Sequence, residues 1–131
     1  VAQAFRARHD EDWIVEGIAE FYTLELMHRS GTISTARRDR GFDKLEQWAE
    51  RIKGLEGQRS TGARTAKGVT VMRALDAELR RRSDGKHSLD DVARTLAENG
   101  VPVSVERLRR ASAALAGGPL DALSDKALAE Y

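Results

Sequence analysis

The sequence predicts an all-α domain of about five to six helices, packed as an orthogonal or irregular helical bundle. Apolar residues recur at helical spacing along most of the 131-residue chain, and no useful stretch alternates with the period of a β-strand. Serines precede several of these segments and glycines follow them, which is typical of helix starts and stops. Residues 1–131 are therefore interpreted as a single helical domain, in keeping with their number.

The first two predicted helices are long. The first begins near Asp12 and ends at Ser30-Gly31, and its apolar residues surround the helix, so we expect it to be buried on all sides. Ser34 caps the second helix, which extends to about Lys53. Its apolar face, with Trp48 beside it, consists of Phe42, Leu45, Ala49 and Ile52.

Residues 54–64 are rich in glycine and lack periodicity, so they are predicted to form a loop. A third helix begins at about Thr65. Its apolar stripe, with Val71 at the edge, consists of Gly68, Met72, Leu75 and Leu79. Two ion pairs four residues apart are expected on its exposed face, Asp76 with Arg80 and Glu78 with Arg82.

Serine caps also mark the last helices. Ser88 with Asp91 approximates a capping box for a fourth helix, which Asn99-Gly100 closes. Ser104 caps a fifth helix that ends at Gly117-Gly118. Residues 119–131 have few large apolar side chains, and we expect a short helix there with a tendency to fray.

Composition excludes several classes of protein. The 22 basic and 21 acidic residues leave a net charge of +1, which gives no global attraction for nucleic acid or for an anionic membrane. No apolar stretch reaches the 18 or so residues of a membrane span. With no cysteine there is neither a disulfide nor a thiolate site. Arginine clusters adjoin acidic residues and are interpreted as solvated helix faces: Arg37-Arg38, Arg80-Arg81-Arg82 and Arg107-Arg109-Arg110.

The candidate functional residues lie in the first helix, in Glu16-Gly17-Ile18-Ala19-Glu20. Two carboxylates stand one helical turn apart inside an apolar run. A buried carboxylate is costly unless a cation, a metal or several donors satisfy it, so Glu16 is a candidate site residue. From the residues alone, a structural bridge from Glu16 to Arg64 or Arg73 is the alternative.

The sequence of this helix resembles a family signature. Trp13-Ile14-Val15-Glu16-Gly17 with Glu20-Phe21 is similar to the W-x-x-E-G-x-x-E-[YF] helix of gluzincin metallopeptidases, the M1 aminopeptidases and M61 glycyl-aminopeptidase-like proteins. Ala66-Lys67-Gly68 resembles the end of their Y-x-K-G element. Two later segments, residues 75–80 and 85–92, resemble the "LD-x-x-[IL]-R" and "SLDD" run of the same proteins, so the likeness covers roughly residues 11 to 100.

The resemblance implies a role for each matching residue. Glu16 would be the third zinc ligand, and Glu20 would hydrogen-bond a ligand histidine and so orient it. Gly17 would leave room for a neighbouring helix, and Trp13 would pack that helix pair. Thr65 occupies the position of the family's tyrosine that donates to the oxyanion, while Lys67 and Gly68 complete the motif.

The other half of such a zinc site is absent from the sequence. His9, His28 and His87 are scattered singly, and no HExxH occurs in the 131 residues. The chain is accordingly expected to be the C-terminal helical part of a larger peptidase-like protein, without catalytic residues of its own. Its implied partners are an upstream HExxH segment and, in the parent, a zinc ion and a peptide substrate; no cofactor is expected in this fragment. The parent would be secreted or periplasmic, although localisation is not fixed by these residues.

Other functions stay open at this point. The same domain could persist as a non-catalytic scaffold or protein-interaction module, for which Thr65 in place of tyrosine argues. A free-standing helical domain that binds protein or nucleic acid through its arginines is a third possibility. As a fragment, the chain is expected to expose apolar surface around Trp13 and Met27 and to form a homodimer that covers it.

Overall fold

The computed structural model describes residues 12–52, 61–98 and 102–131. Within these ranges the chain is all-α, with six helices and no strand, so the predicted fold class is confirmed. The helices are α1 (Asp12–Arg29), α2 (Thr35–Ile52), α3 (Thr61–Arg82), α4 (Leu89–Ala97), α5 (Val105–Ala116) and α6 (Asp125–Glu130), and a 3₁₀ turn at Asp121–Leu123 precedes α6.

Helix α3 is the centre of the bundle. It contacts α1, α2, α4, α5 and the 3₁₀ turn, and it contributes six fully buried apolar residues to the core: Ala66, Val69, Val71, Met72, Leu75 and Leu79. Helices α1 and α3 run in the same direction, because Glu16 contacts Thr65 near their starts and Glu25 shares a cavity with Asp76 farther along. Helix α2 connects them and packs against both.

The predicted serine caps are present. The Ser34 and Ser104 hydroxyls accept hydrogen bonds from the backbone N–H of Arg37 and Arg107, at 3.1 Å each. Ser88 and Asp91 form the complete capping box at the start of α4. Helix α5 ends at Gly117, whose φ of 79° lies in the left-handed region that favours glycine. The predicted close of α4 at Asn99-Gly100 lies outside the described residues.

The predicted start of α3 is wrong by one turn. Residues 61–64, assigned to a loop from the sequence, are helical, while 53–60 lie outside the described residues. Gly62 lies beneath the indole of Trp48, and a Cβ atom at this position would collide with the ring. This contact between α2 and α3 offsets the low helix propensity of glycine. The local sequence pattern does not reveal the contact, so it predicts a loop for these residues.

Burial of α1 is one-sided rather than complete. Ile14, Ile18 and Phe21 face the core, whereas Glu16 and Glu20 are half-buried. The expectation of burial on all sides is wrong because the described neighbours of α1, chiefly α3 and α2, leave its outer side open. In the described part of the chain, the exposed large apolar side chains are Leu26 (51 %) and Trp48 (37 %), whereas Trp13 and Met27 are half-buried.

The C-terminal segment is anchored to α3. Leu120, Ala122 and Leu123 are buried in the core, and the Glu78 carboxylate accepts hydrogen bonds from the backbone N–H of Asp121 (2.9 Å) and Ala122 (2.8 Å). Glu78 also pairs with Arg82 as predicted, at 3.2 Å, but it is only 5 % exposed rather than on an exposed face.

No helix in the described ranges is long and apolar enough to cross a membrane.

Candidate functional site

Helices α1 and α3 make backbone contact at two glycines. A Cβ atom on Gly17 would lie 2.5 Å from the carbonyl carbon of Gly68, and one on Gly68 would collide with the carbonyl oxygen of Trp13. Only glycine at both positions allows so close a crossing. A close helix approach at Gly17 was expected from the sequence, and the approaching helix is α3. The crossing places residues 13–20 and 65–68, two of the segments compared with the family, side by side.

Glu16 accepts a hydrogen bond across this crossing. The Thr65 hydroxyl donates a hydrogen bond to Glu16 Oε2 at 2.9 Å, and both residues are half-buried. The bridge to Arg73 considered from the sequence is not formed, because Arg73 pairs with Asp43 (3.1 Å) and Glu46 (3.0 Å). The side chain of Arg64 lies outside the described part of the structure. The structure therefore brings together Glu16 and Thr65, two residues that the sequence analysis had singled out separately.

Trp13 and Lys67 form the next layer of the crossing. The Lys67 ammonium lies 5.8 Å from the centroid of the Trp13 ring, a cation–π contact. Burial lowers the pKa of Lys67, since no described carboxylate pairs with its ammonium to offset the loss of water. Lys67 therefore contributes to the packing of α1 against α3. The Glu16 carboxylate is bound by the Thr65 hydroxyl instead.

Glu20 lies one turn after Glu16 and is half-buried, without a hydrogen-bond or ion-pair partner among the described residues. Glu25, the next acid on α1, forms ion pairs with Arg38 (3.3 Å) and Arg29 (3.6 Å).

The histidines do not gather around Glu16. His28, at the opposite end of α1, contacts the Thr35 hydroxyl at 2.9 Å and the Arg38 guanidinium at 3.1 Å. His87 is a turn residue 3.6 Å from Asp91, and His9 lies outside the described residues. No group of three potential ligands occurs in the described ranges. One carboxylate with one hydroxyl does not fit a zinc site, which needs three protein ligands, so these residues alone do not hold the metal.

A second polar cluster was not foreseen from the sequence. Asp90 of α4 accepts a hydrogen bond from the Tyr22 hydroxyl at 2.5 Å and two from the Arg29 guanidinium at 3.1 and 3.2 Å. Burial raises the pKa of Asp90, but the Tyr22 hydroxyl and Arg29 outweigh it and hold that pKa below the ordinary range. The sequence offered only a weak signal, a tyrosine in an apolar helix and an acid in the first turn of another.

Comparison with known proteins gives no match, whether with protein-family models, curated proteins or solved structures.

Proposed function

We propose that the chain is the helical part of a zinc-metallopeptidase-like protein, in which Glu16 supplies one carboxylate ligand to a site completed by histidines of another segment. The observation that supports this best is the Glu16–Thr65 hydrogen bond across the Gly17–Gly68 crossing. Two of the segments that carry the resemblance contain these residues, which are 49 positions apart in the chain, and a shared site requires the two segments to face each other. Their contact in three dimensions meets that requirement.

The proposal assigns different roles to the residues of the crossing. Gly17 and Gly68 set the distance between the helices, and Thr65 orients the Glu16 carboxylate by its hydrogen bond. Trp13 and Lys67 pack beside them and exclude water from one side. The substrate class that follows from the resemblance is a peptide, and the catalytic base and two ligands would come from outside this chain.

A non-catalytic scaffold is the second candidate, and one observation favours it. A peptidase of this family would use a tyrosine hydroxyl to stabilise the oxyanion, whereas here the shorter Thr65 side chain donates its proton to Glu16. A scaffold derived from a peptidase would keep the glycine crossing, because it holds the bundle together, and would lose zinc and hydrolysis.

The experiment uses the larger protein that the proposal implies, one that includes an HExxH segment. Bound zinc is measured by elemental analysis, and hydrolysis is followed with a panel of aminoacyl chromogenic substrates. If Glu16 is a ligand, Glu16→Gln lowers the zinc content and abolishes hydrolysis. Glu25→Gln on the same helix is the matched control, since the described partners of Glu25, Arg29 and Arg38, give it a structural role.

Three outcomes separate the candidates. Zinc and activity in the wild type, with zinc lost in Glu16→Gln and kept in Glu25→Gln, support the metallopeptidase. A folded wild type that binds no zinc and hydrolyses no substrate supports the scaffold. Zinc bound equally by the wild type and Glu16→Gln contradicts the role proposed for Glu16.

A further inference from the structure

A recess at the junction of α1 and α2 combines apolar and basic residues, with no acid among its described lining residues. It has a volume of about 380 Å³ and is lined by Leu24, Met27, Ile33, Arg37, Arg40, Gly41 and Lys44. We call it the α2 basic recess. Its apolar wall comes from the end of α1 and the linker, which is fixed by hydrogen bonds from the backbone N–H of Thr32 (2.9 Å) and Ile33 (3.2 Å) to the Met27 carbonyl. Its rim is the basic side of α2.

The cations of this recess differ from those around the neighbouring cavity among α1, α2 and α3. There each of the three arginines that bridge helices contacts two carboxylates: Arg29 contacts Glu25 and Asp90, Arg38 contacts Glu25 and Asp39, and Arg73 contacts Asp43 and Glu46. By contrast, Arg37, Arg40 and Lys44 form no ion pair with any described residue. Within the Arg37-Arg38 cluster, Arg38 is therefore the member with ion-pair partners among the described residues.

The sequence of α2 separates its charges by side. At about 100° per residue, Arg37, Arg40 and Lys44 fall within one narrow sector. The acids of the helix occupy another sector, consisting of Asp39, Asp43, Glu46 and Glu50. Like charges three and four residues apart destabilise a helix, so the basic sector costs stability in the isolated domain. A partner that carries carboxylates would convert this repulsion into attraction.

We propose that the α2 basic recess binds an acidic peptide segment of a partner protein, with one apolar side chain inserted and glutamates or aspartates on the basic rim. Three cations that form no ion pair with a described residue match several carboxylates, and the recess is of a size to take an apolar or aromatic side chain. Gly41 leaves space in the recess, since a Cβ atom at this position would lie only 3.0 Å from Leu24 Cδ2. Trp48, one turn after Lys44 and 37 % exposed, extends the contact surface.

The arrangement of apolar residues favours a peptide over a membrane surface. Leu24, Met27 and Ile33 line a concave recess, which a protruding side chain reaches and a flat bilayer does not. The exposed apolar residue of α1, Leu26, lies on nearly the opposite side of the helix from Leu24. The proposal does not depend on peptidase ancestry, because it uses none of the residues of the α1–α3 crossing.

The test is a fluorescence-anisotropy titration of the 131-residue chain with a short labelled peptide in which glutamates flank a central phenylalanine. We expect saturable binding that weakens as salt is raised. The double variant Arg40→Gln/Lys44→Gln should bind about tenfold more weakly, since it removes two interfacial charge pairs of modest strength. Peptides with glutamine for glutamate, or glycine for phenylalanine, should also bind more weakly.

The matched control is Arg81→Gln/Lys86→Gln, which removes the same charge from exposed positions at the far end of α3 and the turn after it. Circular dichroism shows that each variant is folded before it is titrated. An equal loss of affinity in the control, equal binding of the glutamate and glutamine peptides, or no binding of the glutamate peptide at low salt overturns the proposal. Sedimentation with phosphatidylserine vesicles, in a chain that does not bind the peptide, assigns the surface to membranes instead.

Discussion

At the scale of single residues, two serine hydroxyls show that a buried hydroxyl stabilises or destabilises the fold according to whether it has a hydrogen-bond partner. Ser112 in α5 is fully buried, and its Oγ has no hydrogen-bond partner among the described residues. Ser83, after α3, donates to the Leu79 carbonyl at 2.7 Å and accepts from the His87 backbone N–H at 2.9 Å. A buried hydroxyl without a partner lowers stability, whereas a bonded one raises it.

We therefore predict opposite effects of two serine-to-alanine substitutions. Ser112→Ala should raise the free energy of unfolding by about 1 kcal/mol, because it removes an unpaired hydroxyl and improves helix propensity. Ser83→Ala should lower it by about 1 kcal/mol or more, because it breaks two bonds that close the turn. Urea unfolding followed by circular dichroism measures both, and a destabilised Ser112→Ala variant would show that the hydroxyl has a partner.

The two tyrosines should ionise late in the folded chain. Burial raises the pKa of Tyr22, and the Asp90 carboxylate raises it further; burial and the Glu78 charge raise the pKa of Tyr131. A raised folded-state pKa means that the protonated phenol stabilises the fold below the unfolded value of about 10, and that this stability is lost as the pH rises further.

Ultraviolet titration of the phenolate absorbance tests this expectation. The folded chain should ionise above pH about 10 and the urea-unfolded chain near it. Tyr22→Phe leaves the signal of Tyr131 alone. Because the pKa of Tyr131 is raised less than that of Tyr22, the apparent midpoint of the titration should fall. Identical folded and unfolded titration curves would contradict the burial of both phenols.

At the scale of helices, the Gly17–Gly68 crossing predicts a sharp difference between two glycines. Gly17→Ala places a Cβ atom against the Gly68 backbone, which cannot move aside without separating α1 from α3. We expect a loss of about 3 kcal/mol in the free energy of unfolding, at the upper end for an overpacked site. Thermal unfolding measures the change.

Gly41→Ala in α2 is the control for this substitution. The nearest atoms to its added Cβ are the ends of the Leu24 side chain, at 3.0 and 3.3 Å, and such ends can rotate. Because alanine also favours the helix, the net effect should be within about 1 kcal/mol of zero. Equal losses at Gly17 and Gly41 would mean that the crossing is not a rigid backbone contact.

The helices themselves could be predicted from the sequence, because their caps are local signals. Ser34, Ser88 and Ser104 each lie within three residues of the N–H group that they cap, so spacing is sufficient to identify them. The start of α3 was missed because Gly62 is held in the helix by Trp48, a residue of another helix. Likewise Glu78 was interpreted as exposed from its pairing with Arg82, while its two other donors come from the distant C-terminal turn.

The candidate site was predictable only in part. The apolar surroundings of Glu16 indicate that the carboxylate needs a partner, but spacing along the chain gives no distance to a residue 49 positions away. Thr65 was identified by its place in a motif and not by its contact with Glu16. The role of Glu20 stays a prediction, since the resemblance pairs it with a ligand histidine of another segment.

At the scale of the whole molecule, two carboxylates should determine stability in acid. Burial raises the pKa of Glu78, but the backbone N–H groups of Ala122 and Asp121 and the Arg82 guanidinium outweigh it and hold that pKa below the ordinary range. Asp90 has a lowered pKa as well. For such groups, stability is complete above the unfolded pKa of about 4 and is lost as the pH falls through the lower folded-state pKa.

We predict that the free energy of unfolding falls steeply below pH about 4, and that Glu78→Gln is less stable at neutral pH but loses less on acidification. Urea unfolding at a series of pH values measures the slope. Glu50→Gln, at an exposed position of α2, should keep the wild-type slope. An unchanged slope in Glu78→Gln would show that the C-terminal segment does not depend on this carboxylate.

The parallel course of α1 and α3 also has a consequence for the rate of folding. Parallel helices cannot be joined by a tight turn, so the chain must pass through α2 before Glu16 contacts Thr65. The contact between Tyr22 and Asp90 spans a still longer segment of 68 positions. Each contact closes a long loop before it gains any packing energy. We therefore expect this bundle to fold more slowly than an up-and-down bundle of the same length, whose helices meet their neighbours in order.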